Sequence, residues 1–337
     1  MRGSPPLAVT MGEPAGIGGE LTLSAWRLRR EDGPAFFVID DPERLRELAA
    51  ALGWPVPVVK IAAPQDALRV FGDALPVLPL GARILATPGK PDPANGAAVI
   101  SSINQAVALT RAGKAAAVVT NPIQKSALYA AGFEHPGHTE HLAALAGLRE
   151  PPVMMLAGGG LRVVLATIHL SLRQAVEQLT TESIIHVARA AAEALARDFA
   201  SPKPRLAVAA LNPHAGEDGT MGDEEIRLIA PAVAALRAMG VDAEGPFPAD
   251  TLFHPAARAR YDAVVCMHHD QGLIPLKTIA FDSGVNITLG LPFVRTSPDH
   301  GTALNLAGTG RANPASFLAA LDMAAEMAAG RRQAGRE

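Results

Sequence analysis

A single cysteine, Cys266, stands among 337 residues, so no disulfide can close within the chain and a small, staple-dependent secreted fold is excluded. Lys and Arg number 30 against 33 Asp and Glu, a net charge of −3, and no long basic run occurs. That balance makes nucleic acid and anionic membranes poor partners while leaving room for a small anionic ligand. No apolar run reaches the roughly 20 residues that span a bilayer, and "MRGSPPLAVT" lacks the apolar core of a secretory signal. The expected compartment is the cytoplasm. Two nucleotide signatures are missing: no G-x-G-x-x-G follows a strand-like run, and no G-x-x-x-x-G-K-[ST] occurs. The paired metal motif H-E-x-x-H is missing too, as are internal repeats. The closing "GRRQAGRE" reads as a frayed tail.

What is present is apolar and punctuated. Hydrophobic residues make up 49% of the chain with only 4% aromatic, beside 31 Gly and 28 Pro, the composition of a helix-and-strand enzyme with many turns. The length exceeds what one core usually organises, so two lobes are expected. Val/Ala/Leu-rich runs at 7–10, 36–40, 115–120, 162–169, 205–212 and 262–269 read as strands, and longer patterns between them as crossover helices of a parallel α/β sheet. Residues 96–113 and 180–199 keep apolar side chains at three- and four-residue spacing, the second with Thr180 or Thr181 as N-cap. Pro/Gly-rich stretches near 132–138 and 290–298 mark the lobe boundaries. The division expected is 1–130 plus 295–337 for a discontinuous first lobe and 131–294 for a central lobe.

Ligands of open parallel sheets bind beyond the carboxyl ends of strands. There the chain places Met11-Gly12-Glu13-Pro14, Asn121-Pro122, His169, His214 and the pair His268-His269. One strand-end histidine is most often structural, but three strands delivering one each to the same edge favour a shared metal. Neighbours on a strand face opposite sides, so the sequence leaves open which of His268 and His269 takes part. Asp270 reads equally as a ligand, as an orienting group for an imidazole, or as a helix cap. Lys125, Lys277 and Arg295 are cations suited to an anionic substrate, Arg295 most of all after the proline-broken "LGLPFV". "GHTEH" at 137–141 reads as a helix start with His138 and Thr139 able to touch an anion. "HGTALNLAGTGRANP" at 300–314 is a glycine-rich loop able to bring backbone amides near a pyrophosphate.

Together, "GEPAGIG" (12–18), "PGHTEHLA" (136–143), "ATIHLSL" (166–172), "LNPHAGE" (211–217), "PADTLF" (248–253), "HDQGLIPLK" (269–277), "VNITLGLPFVRTSPDHGTA" (285–303) and "AGTGRANPASF" (307–317) closely resemble the 4-hydroxythreonine-4-phosphate dehydrogenase family of pyridoxal phosphate biosynthesis. They run nearly end to end in the right order. More widely, the loop at 300–314 is similar to that of isocitrate and isopropylmalate dehydrogenases. The resemblance implies two α/β/α lobes with an interlobe cleft, unlike a Rossmann fold, and a homodimer whose metal site draws on both subunits.

Position by position, the resemblance makes His169, His214 and His269 ligands of one divalent metal (zinc, cobalt or magnesium) and leaves His268 outside. It places substrate contacts on His138, Thr139, Lys277, Asn286 and Arg295, and nucleotide contacts on His300, Gly301, Thr302, Ala303 and Asn313, with NAD or NADP as oxidant. Oxidising 4-phosphooxy-threonine removes a hydroxyl proton and a hydride, and the β-keto acid formed loses carbon dioxide. A metal at the hydroxyl oxygen assists both steps. Asp250 and Lys277 are the competing general bases. One departure weakens the transfer: where the family has a T-G-P-V-H-K-like stretch, this chain has "TNPIQK", with Asn121 and Gln124 replacing glycine and histidine. The alternative readings are a dehydrogenase of threonate or erythronate 4-phosphate and, in another class, a metal-dependent hydrolase.

Overall fold

A computed structural model of the protein describes residues 4–335. The chain is α/β and divides into two units, Met1–Pro152 with Leu291–Ala328, and Val153–Gly290 with Ala329–Glu337. The first boundary lies later than the proline and glycine content predicts. Phe133 and Leu142 join the same apolar cluster as Ile103 and Val107, so the segment after residue 130 buries its apolar side chains in the first unit.

The first unit is built on parallel strands β1 (Leu7–Thr10), β2 (Phe36–Asp40), β3 (Val58–Lys60), β4 (Leu75–Pro79) and β5 (Val118–Val119). In the second unit run β6 (Val153–Gly158), β7 (Leu161–Leu165), β8 (Arg205–Ala209), β9 (Asp242–Phe247), β10 (Ala263–Cys266) and β11 (Val285–Leu289). The chain then returns to the first unit with β12 (Arg295–Pro298). The orders are β3-β4-β2-β1-β5-β12 in the first unit and β11-β6-β7-β10-β8-β9 in the second. β1, β2 and β5 are short and wholly buried, as strands covered on both faces must be.

The parallel arrangement expected from the sequence holds in the first unit and among β7, β10, β8 and β9 of the second, but not for two further strands there. There β6 pairs antiparallel with both β7 and β11. The hairpin turn is Gly159-Gly160, with φ of 56° and 75°, so a tight reversal replaces the crossover helix that a parallel neighbour needs. The expected strands at 115–120, 162–169 and 205–212 stop early, and the residues after them are loops that carry the candidate groups.

Both singled-out helices form, at Gly96–Arg111 and Thr181–Asp198. Thr180 caps the second, its side chain accepting from the Ser183 amide. The tail differs from expectation: helix Ala315–Ala334 continues through it, and Arg331 donates to both oxygens of buried Asp198 at 2.7 Å. Residues 1–3 and 336–337 lie outside the described ones. No helix among the described residues is long and apolar enough to cross a membrane.

Candidate active site

In the second unit β10 lies between β7 and β8, all three parallel. Their carboxyl ends therefore deliver His169, His214 and His268-His269 to one edge. The rings of His169 and His269 lie 6.1 Å apart between centres. Two imidazoles on one tetrahedral ion sit roughly 5–6 Å apart, given metal–nitrogen bonds of about 2.0–2.1 Å. The pair is slightly wider than that.

Asp270 settles into one of its three readings: its carboxylate meets His269 Nδ1 at 2.7 Å, which orients the ring and leaves Nε2 for a ligand. His268 caps the helix His269–Ala280, its Nδ1 accepting from the Gln271 amide. Burial lowers the His268 pKa, which keeps the ring neutral and able to accept there. Two of the three implied ligands thus fit a metal. His214 lines a cavity of about 420 Å³ with Asp250, His268 and Asp270. Among the described residues no three His, Cys, Asp or Glu side chains converge closely enough to hold an ion.

The backbone at these positions is strained. His169 has φ of 46°, and His214, Ala215, Gly216, Glu217 and Asp218 form an unbroken left-handed run, a conformation costing roughly 1–2 kcal/mol for each residue bearing a side chain. Glu225 holds the base of that turn. Its carboxylate accepts the amides of Leu211 and Asn212, both at 2.8 Å, and the Asn212 side-chain amide at 3.0 Å. Gly216 has no alternative, since a Cβ there would lie 2.6 Å from Glu225 Oε2. Gln271 ties two strand ends together by accepting from the Met267 amide and donating to the Ala210 carbonyl, each at 2.7 Å. Lys277 lies on the His269 helix about 12 Å further along its axis, with its ammonium 5.5 Å from the Phe281 ring centre. Asn286 sits on β11 opposite Leu156.

The first unit gathers the other candidates. Arg295 is only 4% exposed, donates to the Thr120 hydroxyl at 2.7 Å, and has its pKa pushed down to about 10 by burial. His138 opens the helix His138–Ala146, and its sealed Nε2 has no hydrogen-bond partner among the described residues. Burial, with Arg295, His141 and Lys125 nearby, drives its pKa well down. Arg295 and Lys125 are thus two cations close to a neutral His138. Thr139 is the next residue of the same helix.

The glycine-rich loop differs from expectation. Two of its amides, those of Gly308 and Gly310, are taken by the Glu20 carboxylate. Asn313 caps the helix after it, accepting from the Ala315 amide at 3.0 Å. Ala303 adopts φ of 41°, Thr302 is buried, Gly301 is exposed and His300 half-buried, with its Nδ1 beside the Gly301 carbonyl.

The family model described as "Pyridoxal phosphate biosynthetic protein PdxA" matches residues 33–324. The chain belongs to this family. It is 54% identical to a 4-hydroxythreonine-4-phosphate dehydrogenase of Bradyrhizobium diazoefficiens, covering 96% of this chain and 97% of the relative. With the enzyme of that name from Methylorubrum populi it shares 57% identity, over 96% and 94% of the two chains. A crystal structure of the Klebsiella pneumoniae 4-hydroxythreonine-4-phosphate dehydrogenase superposes with a TM-score of 0.88 at 41% identity, covering 96% of this chain and all of that one.

The two replacements in "TNPIQK" have different consequences. Asn121 is fully buried, donating to the Thr10 carbonyl and the Thr22 hydroxyl at 3.0 Å each. It packs where any Cβ on Gly12 would lie 2.6 Å away, so it shapes the loop from beneath. Gln124 instead accepts from the Thr302 hydroxyl at 3.2 Å, next to the implied nucleotide contacts. Sequence reading missed Glu20, Glu225 and Gln271. Each looks like an ordinary helix residue until the distant loop it holds is seen.

Proposed function

We propose that this protein is a homodimeric, NAD- and divalent-metal-dependent dehydrogenase of 4-phosphooxy-L-threonine, forming the β-keto acid that decarboxylates to 3-amino-2-oxopropyl phosphate. The observation that carries the reading is the grouping of buried Arg295 and exposed Lys125 near the sealed, neutral His138. A phosphate monoester matches the fork of a guanidinium. The relatives' names supply the substrate, and membership of the family favours an oxidoreductase over a hydrolase.

When bound, a nicotinamide would supply the hydride acceptor and a divalent ion the Lewis acid. Arg295 and Lys125 neutralise the phosphate, and His138, being neutral, contributes hydrogen bonding without adding charge. Thr139 and Asn286 are substrate-positioning groups. Lys277 accepts the hydroxyl proton, and Asp250 beside His214 is the competing base. His169 and His269 hold the metal from one chain, oriented in part by Asp270, and His214 reaches it from the second subunit. His300, Gly301, Thr302, Ala303 and Asn313 contact the nucleotide. The placement of Asn121 beneath the loop speaks against a changed substrate pocket, and hence against a threonate or erythronate 4-phosphate enzyme.

The test is NADH formation, followed by its near-ultraviolet absorbance, with 4-phosphooxy-L-threonine, NAD and zinc, cobalt or magnesium. Turnover of that substrate well above the two four-carbon acid phosphates supports the reading. No NADH with any metal overturns it.

A further inference from the structure

The turn that carries His214 is held by a carboxylate from outside it. His214 to Asp218 all have positive φ, between 43° and 77°, and only Gly216 among them is a glycine. The other four stand in a conformation that a side chain disfavours, so the turn needs an external tie to keep it there.

Glu225, only 4% exposed, supplies that tie on both flanks of the histidine. Ahead of His214, one carboxylate oxygen accepts the amides of Leu211 and Asn212, and the other accepts from the Asn212 side chain. Behind His214, that second oxygen fills the space over Gly216 that a Cβ would need. Burial alone would raise the Glu225 pKa, but the Asn212 side chain and the amides hold it below its ordinary value, so the group is a carboxylate at neutral pH. Glutamine has nearly the same shape and cannot serve. With its oxygen on the two backbone amides, its NH2 group faces that of Asn212, donor against donor; turned over, it faces the two backbone N–H groups. Asn212 cannot present its own oxygen instead, because its side-chain nitrogen also donates to Glu224 at 2.7 Å.

We propose that Glu225 is a positioning residue for His214: by gripping the backbone on both sides of that histidine, it sets the turn before a metal ion arrives. The proposal rests on the metal reading above. An ion then meets a ligand already in place and does not have to order the loop, the usual part of groups that stand behind a metal's ligands.

The test is titration of the metal-free protein with cobalt, followed by visible absorption in competition with a chelator, for wild type and Glu225→Gln. Circular dichroism and sedimentation check fold and assembly. Glu225→Gln should bind cobalt about tenfold more weakly or worse, and excess metal should bring its turnover back toward wild type, which a general loss of structure would not allow. Wild-type cobalt affinity in a folded variant overturns the role. Hydrogen exchange of the metal-free wild type, resolved at the Leu211 and Asn212 amides, tests the claim without any variant and decides it if Glu225→Gln does not fold. Both amides should already be protected; protection that comes only with metal would mean that the ion, and not Glu225, sets the turn. If wild type takes up no cobalt, the metal reading falls first and the positioning role with it.

Discussion

The two units hold their candidate groups in opposite ways. In the first, the central groups are enclosed by their own chain, though Lys125, Gly301 and Asn313 are exposed: Arg295 and Glu20 are buried, His138 Nε2 is sealed, and the loop at 12–17 is tied to three others. The Ile17 amide donates to the Thr302 carbonyl at 3.1 Å, the Glu13 amide to the Pro122 carbonyl at 2.8 Å, and the Gly89 amide to the Ala15 carbonyl at 2.8 Å. In the second unit His169 and His214 are exposed. Large apolar side chains stand uncovered close by, Leu172 at 66% exposure three residues after His169 and Ile274 at 64% on the cavity wall with His214. An anion pocket is a matter of local charge and burial, which one chain can complete. The histidine edge carries strain and uncovered apolar surface that one chain leaves unresolved, as expected of a site finished by a second copy.

The sharpest way to break the contrast is His214→Ala. Losing one ligand should reduce turnover more than about a hundredfold while the melting temperature stays close to wild type, because the residue lies on an exposed loop. Metal content by elemental analysis should fall with activity; unchanged metal and turnover would remove His214 from the site. Next comes Arg295→Lys, which tests the enclosed pocket. A lysine cannot reproduce the fork, so KM for the phosphorylated substrate should rise roughly tenfold or more, about 1.4 kcal/mol. A wild-type KM in steady-state kinetics would mean that the guanidinium does not meet the phosphate.

Leu172→Asp should affect only the second unit's behaviour. Sedimentation should show dissociation at higher protein concentrations than for wild type, with coenzyme binding in the first unit little changed. The smallest effect is on pH dependence. The folded pKa of His138 lies below its ordinary value of 6.5, so on acidification through about pH 6.5 the unfolded chain takes up a proton that the folded one refuses. Stability therefore falls as the pH drops, by at most about 1.4 kcal/mol per unit from this group. Chemical denaturation should show His138→Gln losing less stability than wild type between neutral and mildly acidic pH. Buried His141 and half-buried His268 share the sign but are common to both proteins.

Periodicity alone located β1, β2, the helices Gly96–Arg111 and Thr181–Asp198, and the Thr180 cap, because each depends on neighbours in sequence. Strand ends revealed the histidine edge for the same reason. The antiparallel pairing of β11 with β6 was not legible, since pairing direction depends on a partner about 130 residues away and alternation does not encode it, whereas the β6–β7 hairpin around Gly159-Gly160 was a local signal that the reading missed. Nor could local pattern show that Glu20, 288 residues before Gly308, would take the loop amides read as open to a pyrophosphate. The same limit hid Glu225 under the His214 turn.

The claim that the histidine edge is completed by a second subunit is tested most directly by complementation. His214→Ala and His269→Ala chains, each inactive alone, are coexpressed with different tags, and the mixed dimer is purified. If His214 and His269 of one site come from different subunits, one of the two symmetric sites regains its full set, and the mixed dimer should recover about half of wild-type turnover. If both come from the same chain, every site keeps a defect, and a mixed dimer as inactive as its parents would contradict the account.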